Sequence, residues 1–156
     1  MRVGSGFDIH CFEDGEYLTL GGVKIPFSKG LQAHSDGDVL VHSLIDAILG
    51  AINAGDIGAH FPDDDIQYKN ANSLDLLQNI YKLMSSKGYF LMNMDATIIL
   101  EKPKLSKYID KMQENIAETL SCSTDILSIK ATTSEGIGFV GRQEGIACLC
   151  SILLDK

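Results

Sequence analysis

The residues near the amino terminus that are best suited to chemistry are Asp8 and His10, in the segment GSGFDIHCF. This apolar segment favours a β-strand, in which residues i and i+2 point to the same face. Asp8 and His10 would then present a carboxylate oxygen and an imidazole nitrogen side by side. Three interpretations are open at this point: a metal chelate, an Asp–His hydrogen bond, or a solvated strand end.

A third candidate ligand, His42, lies in the segment DVLVHSLIDAILGAI, whose apolar spacing predicts a helix. Taken alone, His42 reads as a solvated polar residue of that helix. If the helix turns His42 toward Asp8 and His10, two imidazoles and one carboxylate form a set suited to Zn²⁺ with an open fourth position. Asp46, one turn further along, would then be placed to orient His42.

Two polar loops hold the other histidines. His34 begins the segment HSDGD and is either an exposed loop residue or a donor near a helix amino terminus, where backbone N–H groups favour anions. The aspartates of that segment lack the ligand spacing of an EF-hand loop. His60 is interpreted as a loop residue. The FPDDD segment beside it is typical of a solvated acidic turn, although such loops also hold sugar hydroxyls or metals.

The segment KATTSEGIGFVGR is the second stretch with chemical potential. Thr132 and Thr133 offer hydroxyls at a strand end, and Glu135 offers a hard oxygen ligand suited to Mg²⁺ or Mn²⁺. Its glycines either let the backbone approach a phosphate or form an ordinary tight turn. The sequence has no Walker, dinucleotide-binding or nucleophile-elbow motif, which weighs against the common kinase, dehydrogenase and esterase classes.

Composition limits the protein classes that fit. The 156 residues suffice for one domain, and 45% hydrophobic and 22% charged residues are typical of a globular protein. A net charge of −8 argues against nucleic-acid binding, and an anionic ligand would need metal ions or local cations. The four cysteines have no C-x-x-C spacing and are predicted to be buried, reduced thiols. No signal pattern or membrane-length apolar run is present, so we expect a soluble intracellular protein without membrane partners.

The segments that must position these residues alternate strands and amphipathic helices. EYLTLGGVKIPF predicts a hairpin around Gly21–Gly22. Helices are predicted from Ser35 or Asp36, over SLDLLQNIYKLMSSKG with Ser73 as N-cap, and after Pro103. MDATIIL, LSIKATTS and GIACLCSILL predict strands. This mixture predicts a layered α+β or α/β domain, with a sheet covered by helices on one face.

Taken together, the segments resemble one family, the 2-C-methyl-D-erythritol 2,4-cyclodiphosphate synthases. The resemblance covers nearly the whole chain, in the family's order, and its most specific parts are AHSDGDVLVH and ATTSEGIGFVGR. The other matching segments are GFDIH, GGVKIP, GDIGAHFPDDD, EKPKL and EGIAC. Two departures occur: Ser5 stands where many members carry histidine, and Glu101–Lys102 varies an already variable loop.

The resemblance implies a fold, an assembly and a reaction. The fold is α+β, a mixed β-sheet with helices packed on one face, in a single catalytic domain over residues 1–156. Three such subunits would assemble as a homotrimer with active sites at subunit interfaces. The reaction converts 4-diphosphocytidyl-2-C-methyl-D-erythritol 2-phosphate to the cyclic diphosphate by intramolecular attack, with release of CMP. The enzyme would be a cyclising phosphorus–oxygen lyase. The absence of a transit-peptide pattern after Met1 favours a bacterial cytoplasmic location.

The resemblance also implies residue roles. Asp8, His10 and His42 match the Zn²⁺ ligands, and Glu135 matches the ligand of a second divalent ion, Mg²⁺ or Mn²⁺. His34 and Thr133 match positions that stabilise the transition state. The cytidine-binding loop of the family is matched by Leu100, Glu101, Lys102, Pro103, Lys104, Leu105 and Ser106. Contacts to the sugar and erythritol parts of the substrate are matched by Asp56, Ile57, Gly58, Phe61, Pro62, Asp63, Asp64 and Asp65. Further substrate contacts are matched by Ile9, Ser35, Thr132 and Ser134. Phe139 and Arg142 match residues that line a cavity on the trimer axis for isoprenoid diphosphates.

Two other classes remain as alternatives. A non-catalytic trimeric protein that binds isoprenoid diphosphates would use the axial cavity near Phe139 and Arg142 without needing the full metal set. A metal-dependent phosphohydrolase would use water as its nucleophile and release a linear product.

Overall fold

A computed structural model describes residues 1–62, 64–68 and 70–156, in which four strands are followed by a mixture of helices and strands. The strands are β1 (Arg2–Asp14), β2 (Tyr17–Leu20), β3 (Val23–Pro26), β4 (Lys29–Leu31), β5 (Phe90–Ile99), β6 (Leu127–Thr132) and β7 (Gly145–Asp155). The helices are α1 (Val39–Ala51), α2 (Ile57–His60), α3 (Ser73–Ser86), α4 (Ile109–Leu120) and α5 (Gly138–Gly141), with 3₁₀ turns at Ile66–Tyr68 and Thr124–Ile126. The hairpin, the three long helices and the three later strands predicted above are confirmed.

Five strands form one mixed sheet in the order β4–β1–β7–β5–β6, and β2 and β3 form a separate hairpin. Neighbouring strands of the sheet are antiparallel except β5 and β6, which are parallel. Helix α1 packs against β1 and β7, and α4 packs against β6, on the same side of the sheet. The predicted α+β class is therefore confirmed. The last two strands are not neighbours, because β5 lies between them.

Helix α1 forms the centre of the core, and the sheet approaches it unusually closely. Nearly the whole helix is buried, including Leu44 and Ile48, which have no exposed surface. On β1, Gly4 and Gly6 face this helix. A Cβ atom on Gly6 would lie 2.0 Å from the carbonyl oxygen of Ser43, so only glycine allows the backbones to come so near.

Two helix starts differ from the predictions. Helix α1 begins at Val39 and not at Ser35 or Asp36, because the Asp38 carboxylate accepts a hydrogen bond from the Val41 N–H (3.1 Å) and caps the helix. The N-cap of α3 is Asn72, whose side chain accepts from the Leu74 N–H, and Ser73 is already helical.

The second face of the sheet carries no helix among the described residues, and apolar side chains are exposed on it. Phe7 and Leu149 are cross-strand partners on β1 and β7, and each keeps about half of its surface exposed. Alternation along β1 also exposes Cys11. The prediction of buried thiols is confirmed for Cys148 and Cys150 but is wrong for Cys11.

We searched the described helices for a segment with the length and apolar character needed to cross a bilayer, and found none.

Candidate metal and substrate site

Asp8, His10 and His42 converge as a triangle of three ligand atoms. Asp8 Oδ2, His10 Nε2 and His42 Nδ1 lie 3.1 Å from one another along all three edges. Tetrahedral Zn²⁺ with bonds of about 2.0 Å places its ligand atoms about 3.3 Å apart, so the triangle fits such an ion with small adjustments. Of the interpretations of Asp8 and His10 given above, the metal chelate is the one this geometry favours.

The two elements that bring these side chains together are β1 and α1. Asp8 and His10 stand on the helix-facing side of β1, two residues apart, as the strand alternation predicts. His42 lies in the second turn of α1 on the side that packs against β1. The close approach at Gly6 therefore sets the distance from His42 to the strand ligands.

The ring of His10 is oriented by the main chain. Its Nδ1 lies 2.9 Å from the carbonyl oxygen of Gln32, which can only accept, so Nδ1 carries the proton. In the neutral ring, Nε2 then directs a lone pair into the triangle. Metal-binding histidines commonly have this arrangement.

The electrostatics of the triangle favour a positive charge at its centre. Burial alone would raise the pKa of Asp8, but hydrogen bonds and charge pairing with His10 and His42 lower it from 3.8 to about 2. Burial alone would lower the pKa of His10, yet the Asp8 carboxylate outweighs burial and raises it above 6.5. Asp8 is thus anionic at neutral pH, and the site attracts either a proton or a cation.

A cavity of about 360 Å³ opens directly onto the triangle. Besides the three ligands, it is lined by five of the predicted substrate-contact residues: His34, Ser35, Ile57, Gly58 and Phe61. Within the described part of the chain, the buried Nε2 atom of His34 has no hydrogen-bond partner. A buried imidazole nitrogen without a partner costs free energy.

Asp46 supports this cavity in a way that differs from the prediction. Its Oδ1 accepts a hydrogen bond from the Ile57 N–H (2.8 Å), and Asp56 caps the same short helix through the Ala59 N–H (2.9 Å). Asp46 therefore positions α2, and the described hydrogen bonds of His42 go to other residues.

The remaining contacts predicted near this cavity lie around it. Ile9 is on β1 between two ligands, but its side chain points to the opposite face of the sheet. Pro62, Asp64 and Asp65 follow α2 in the same loop, where Asp65 accepts from the Gln67 N–H. Asp63 lies outside the described residues.

A second cavity, of about 350 Å³, lies at the ends of β5 and β6. Its lining includes most of the predicted cytidine segment and both threonines: Leu100, Glu101, Pro103, Lys104, Leu105, Ser106, Thr132 and Thr133, with Ile109 and Ala131. Lys102 belongs to the same loop, and its side chain is exposed.

Glu101 links this loop to the turn that carries Glu135. Its Oε1 accepts hydrogen bonds from the N–H and hydroxyl of Ser134 (3.0 and 2.8 Å) and from the Gly136 N–H (3.3 Å). The hydrogen bond from the Ser134 hydroxyl lowers the pKa of Glu101. The Glu101 carboxylate is therefore anionic and holds the turn through these hydrogen bonds. Within the turn, the Thr133 hydroxyl lies 2.9 Å from Glu135 Oε1.

The two cavities are separate within one chain. Asp8 pairs with Cys148, Cys148 pairs with Ile98, and Ile98 pairs with Ala131, which places three strand steps between the triangle and β6. At about 4.8 Å per step this is a separation of about 14 Å. Phe139 and Arg142 lie further along, on and just after α5, where Arg142 pairs with Glu144 (2.8 Å).

The family model described as the YgbB family matches residues 1–155. The chain belongs to the YgbB family. A curated YgbB relative, the 2-C-methyl-D-erythritol 2,4-cyclodiphosphate synthase of Lysinibacillus sphaericus (strain C3-41), is 52% identical over 156 residues, which cover all of this chain and 99% of the relative. The resemblance recognised in the sequence is confirmed.

Solved structures of similar proteins share the fold. The bifunctional IspDF from Campylobacter jejuni superposes with a TM-score of 0.94 at 48% identity, over 98% of this chain and 42% of that one. This YgbB chain therefore spans less than half of the length of that bifunctional protein. The Plasmodium falciparum IspF structure, a CDP complex, gives a TM-score of 0.86 at 37% identity, over 98% of this chain and 94% of that one.

Sequence reasoning missed two positions that contact the rings of His10 and His42 in this YgbB chain. Gln32 acts through its backbone carbonyl, for which side-chain identity carries no signal. Ser73 contacts His42 from another helix, 31 residues further along the chain. The only sequence signal at Ser73 was its helix-start chemistry, which predicted a cap.

Proposed function

We propose that this chain converts 4-diphosphocytidyl-2-C-methyl-D-erythritol 2-phosphate into 2-C-methyl-D-erythritol 2,4-cyclodiphosphate and CMP. The observation that carries this proposal is the ligand triangle of Asp8, His10 and His42. The chain that holds it belongs to the YgbB family and matches a relative named as the synthase over 99% of that relative's length. The enzyme class is a cyclising, CMP-releasing phosphorus–oxygen lyase.

The chemistry must overcome repulsion between two anionic groups. A 2-phosphate oxygen attacks the β-phosphorus of the same molecule. A new P–O bond forms, and the bond from that phosphorus to the oxygen bridging the α-phosphorus breaks. The bridging oxygen keeps the electron pair and leaves as part of CMP. Because the attack is intramolecular, holding the substrate in a folded-back shape contributes several kcal/mol, up to roughly 7–11 in favourable cases.

Two cation sites are assigned to this chain. Asp8, His10 and His42 would hold Zn²⁺, and Glu135 would contribute to a site for Mg²⁺ or Mn²⁺. When bound there, divalent ions would supply positive charge that offsets the phosphate charge and would help to align the attacking and leaving oxygens. The mixed nitrogen and oxygen donors of the triangle suit Zn²⁺, and the lone carboxylate of Glu135 suits a harder ion.

The other side chains bind and orient the phosphates. His34 lines the cavity beside the triangle, where a donor can stabilise charge that develops on a phosphate oxygen. Ser35 and the amino end of α2 line the same wall. Thr133 would donate its hydroxyl to a phosphate in place of its bond to Glu135.

The second cavity is the proposed cytidine site. Its lining combines the apolar residues Leu100, Pro103 and Leu105 with polar residues that include Lys104 and Ser106, as expected for a site that binds a nucleoside. The similar protein from Plasmodium falciparum is described in a complex with CDP. We assign the same ligand class to the loop from Leu100 to Ser106.

The separation of the two cavities supports a homotrimer with sites between subunits. About 14 Å is too far for the triangle and Thr133 of the same chain to contact one diphosphate group. A cavity of one subunit facing the other cavity of its neighbour would bring the two halves together. The exposed Phe7–Leu149 face supplies an apolar surface for this contact.

We assign three further properties to the chain on the same basis. Residues 1–156 form one catalytic domain. Phe139 and Arg142, beside the exposed turn, would line an axial cavity for an isoprenoid diphosphate, where Arg142 could exchange Glu144 for a phosphate. The cytoplasm is the proposed location, as for an enzyme acting on a cytidylylated metabolite.

The deciding experiment incubates the purified chain with the cytidylyl substrate, Zn²⁺ and Mg²⁺, and follows the products by ³¹P NMR. We expect CMP together with a cyclic diphosphate, and His42→Ala should abolish both. CMP with a linear phosphorylated product would instead identify a phosphohydrolase. Bound metals without turnover would leave a non-catalytic isoprenoid-diphosphate binder as the better explanation.

A further inference from the structure

Ser73 lies behind the metal-facing ring of His42, on the side away from Asp8 and His10. It is the first residue of α3 and has no exposed surface. Its Oγ lies 2.8 Å from His42 Nε2. Both the N–H and the hydroxyl of Ser73 donate to the carboxylate of Asp36, the N–H at 3.0 Å.

These contacts determine the direction of each hydrogen bond. The Asp36 carboxylate can only accept hydrogen bonds, so the Ser73 hydroxyl donates its single proton to Asp36. Ser73 Oγ is then available to His42 only as an acceptor. His42 Nε2 must therefore carry a proton, and the neutral ring keeps its lone pair on Nδ1, the atom that faces the triangle.

Ser35 provides a second, weaker contact to the same nitrogen. Its Oγ lies 3.1 Å from His42 Nε2, and Ser35 lines the substrate cavity and is half-buried. Ser73 is closer, fully buried and bound at two points to Asp36. Ser73 is thus the partner of His42 that stays in place whatever occupies the cavity.

We propose that Ser73, held by Asp36, is a positioning residue that fixes the ring orientation and the proton position of His42 for metal binding. The inference rests on the proposed function, because it needs the triangle to bind a divalent cation. The proposal also assigns a structural role to the segment HSDGD, because Asp36 of that segment holds Ser73, and Ser73 contacts His42. Partners of this kind change metal affinity by about 10–100-fold when they are removed.

The test compares Ser73→Ala with Ser43→Ala. Ser43 is an equally buried serine on α1, and its hydroxyl contacts the Leu40 carbonyl oxygen and Cys148 Sγ, not the ligands. Zn²⁺ affinity is measured by competition with a chromophoric chelator for the wild type and both variants. We expect Ser73→Ala to bind Zn²⁺ about 10–100-fold more weakly and Ser43→Ala to stay within about threefold of the wild type.

A second measurement reads the proton directly. Long-range ¹H–¹⁵N spectra of the metal-free wild type with ¹⁵N-histidine should show the His42 proton on Nε2, with slow solvent exchange that becomes fast in Ser73→Ala. If Ser73→Ala does not fold, the wild-type spectrum alone tests the proposal. A His42 proton on Nδ1 in that spectrum overturns it.

The controls separate this inference from the proposed metal site. Equal Zn²⁺ affinity of Ser73→Ala and Ser43→Ala, with His42→Ala losing the metal, overturns the role of Ser73 and leaves the metal site standing. If His42→Ala binds Zn²⁺ as tightly as the wild type, the metal site itself is wrong and the inference falls with it.

Discussion

His10 offers the same Nε2 atom to two competitors, a proton and a metal ion. The Gln32 carbonyl oxygen holds the proton on Nδ1, so a second proton on the ring can only go to Nε2, toward Asp8. Because the Asp8 carboxylate raises the pKa of His10 above 6.5, the metal-free fold holds that second proton more tightly than an unfolded chain does. The stability that this proton adds to the metal-free fold is complete below pH 6.5 and is lost as the pH rises through the raised pKa of His10.

This competition predicts the pH dependence of metal binding. Zn²⁺ must displace the His10 proton, so its affinity should increase with pH up to the raised pKa of His10 and level off above it. Chelator competition between pH 6 and 8.5 measures the change, with about tenfold per pH unit expected on the rising part. The Asp8 carboxylate, with a pKa of about 2, does not titrate in this range. An affinity that is constant below pH 7 would contradict the assignment of His10 as a ligand.

At the scale of elements, the spacing between β1 and α1 controls the triangle. A Cβ atom on Gly6 would meet the Ser43 carbonyl oxygen at 2.0 Å and the Ala47 nitrogen at 2.8 Å, both of them backbone atoms of α1. Neither atom can rotate away, so the helix itself has to move. His42, adjacent to Ser43, would move with it.

Gly6→Ala should therefore damage folding and metal binding together. We expect the free energy of unfolding to fall by about 3 kcal/mol, the upper range for overpacking, and Zn²⁺ affinity to fall at least tenfold. Gly50→Ala is the matched control on α1, because a Cβ there meets nothing within 4 Å. It should raise stability by a few tenths of a kcal/mol, up to about 1, through helix propensity. Denaturant unfolding and chelator competition measure both effects, and normal Zn²⁺ affinity in Gly6→Ala would refute the argument.

Local patterns predicted the elements but not their neighbours. The alternation in β1 placed Asp8 and His10 on one face, and the apolar spacing of α1 identified its buried side. Which residue stands behind His42 depends on how α3 docks on α1, and no periodicity carries that information. For this reason Asp46, one turn away, was a reasonable partner on spacing, whereas the structure gives His42 the distant Ser73. The resemblance supplied the ligand roles that spacing alone left open.

At the scale of the whole molecule, one chain holds two halves that do not meet. The triangle lies on β1 and α1, and the proposed cytidine cavity lies three strands away at the end of β6. The net charge of −8 opposes the binding of a polyanion, so phosphate groups at either half would need bound cations to offset that charge. Assembly would place the metal ligands of one copy beside Thr133 and Glu135 of another. Metal binding and turnover should therefore depend differently on association.

Leu149→Glu tests that difference. Leu149 is 47% exposed on β7 beside Phe7, so a carboxylate there would lie in the proposed contact and repel its copies. By light scattering after gel filtration we expect a trimer for the wild type and a monomer for the variant. The monomer should keep Zn²⁺ affinity within about threefold, since all three ligands come from one chain, and lose at least 100-fold in kcat/KM.

Tyr17→Glu, similarly exposed on the hairpin, serves as the charge control and should stay trimeric and active. A monomeric Leu149→Glu with full turnover would mean that one chain closes the 14 Å gap alone, and the interfacial site would have to be abandoned.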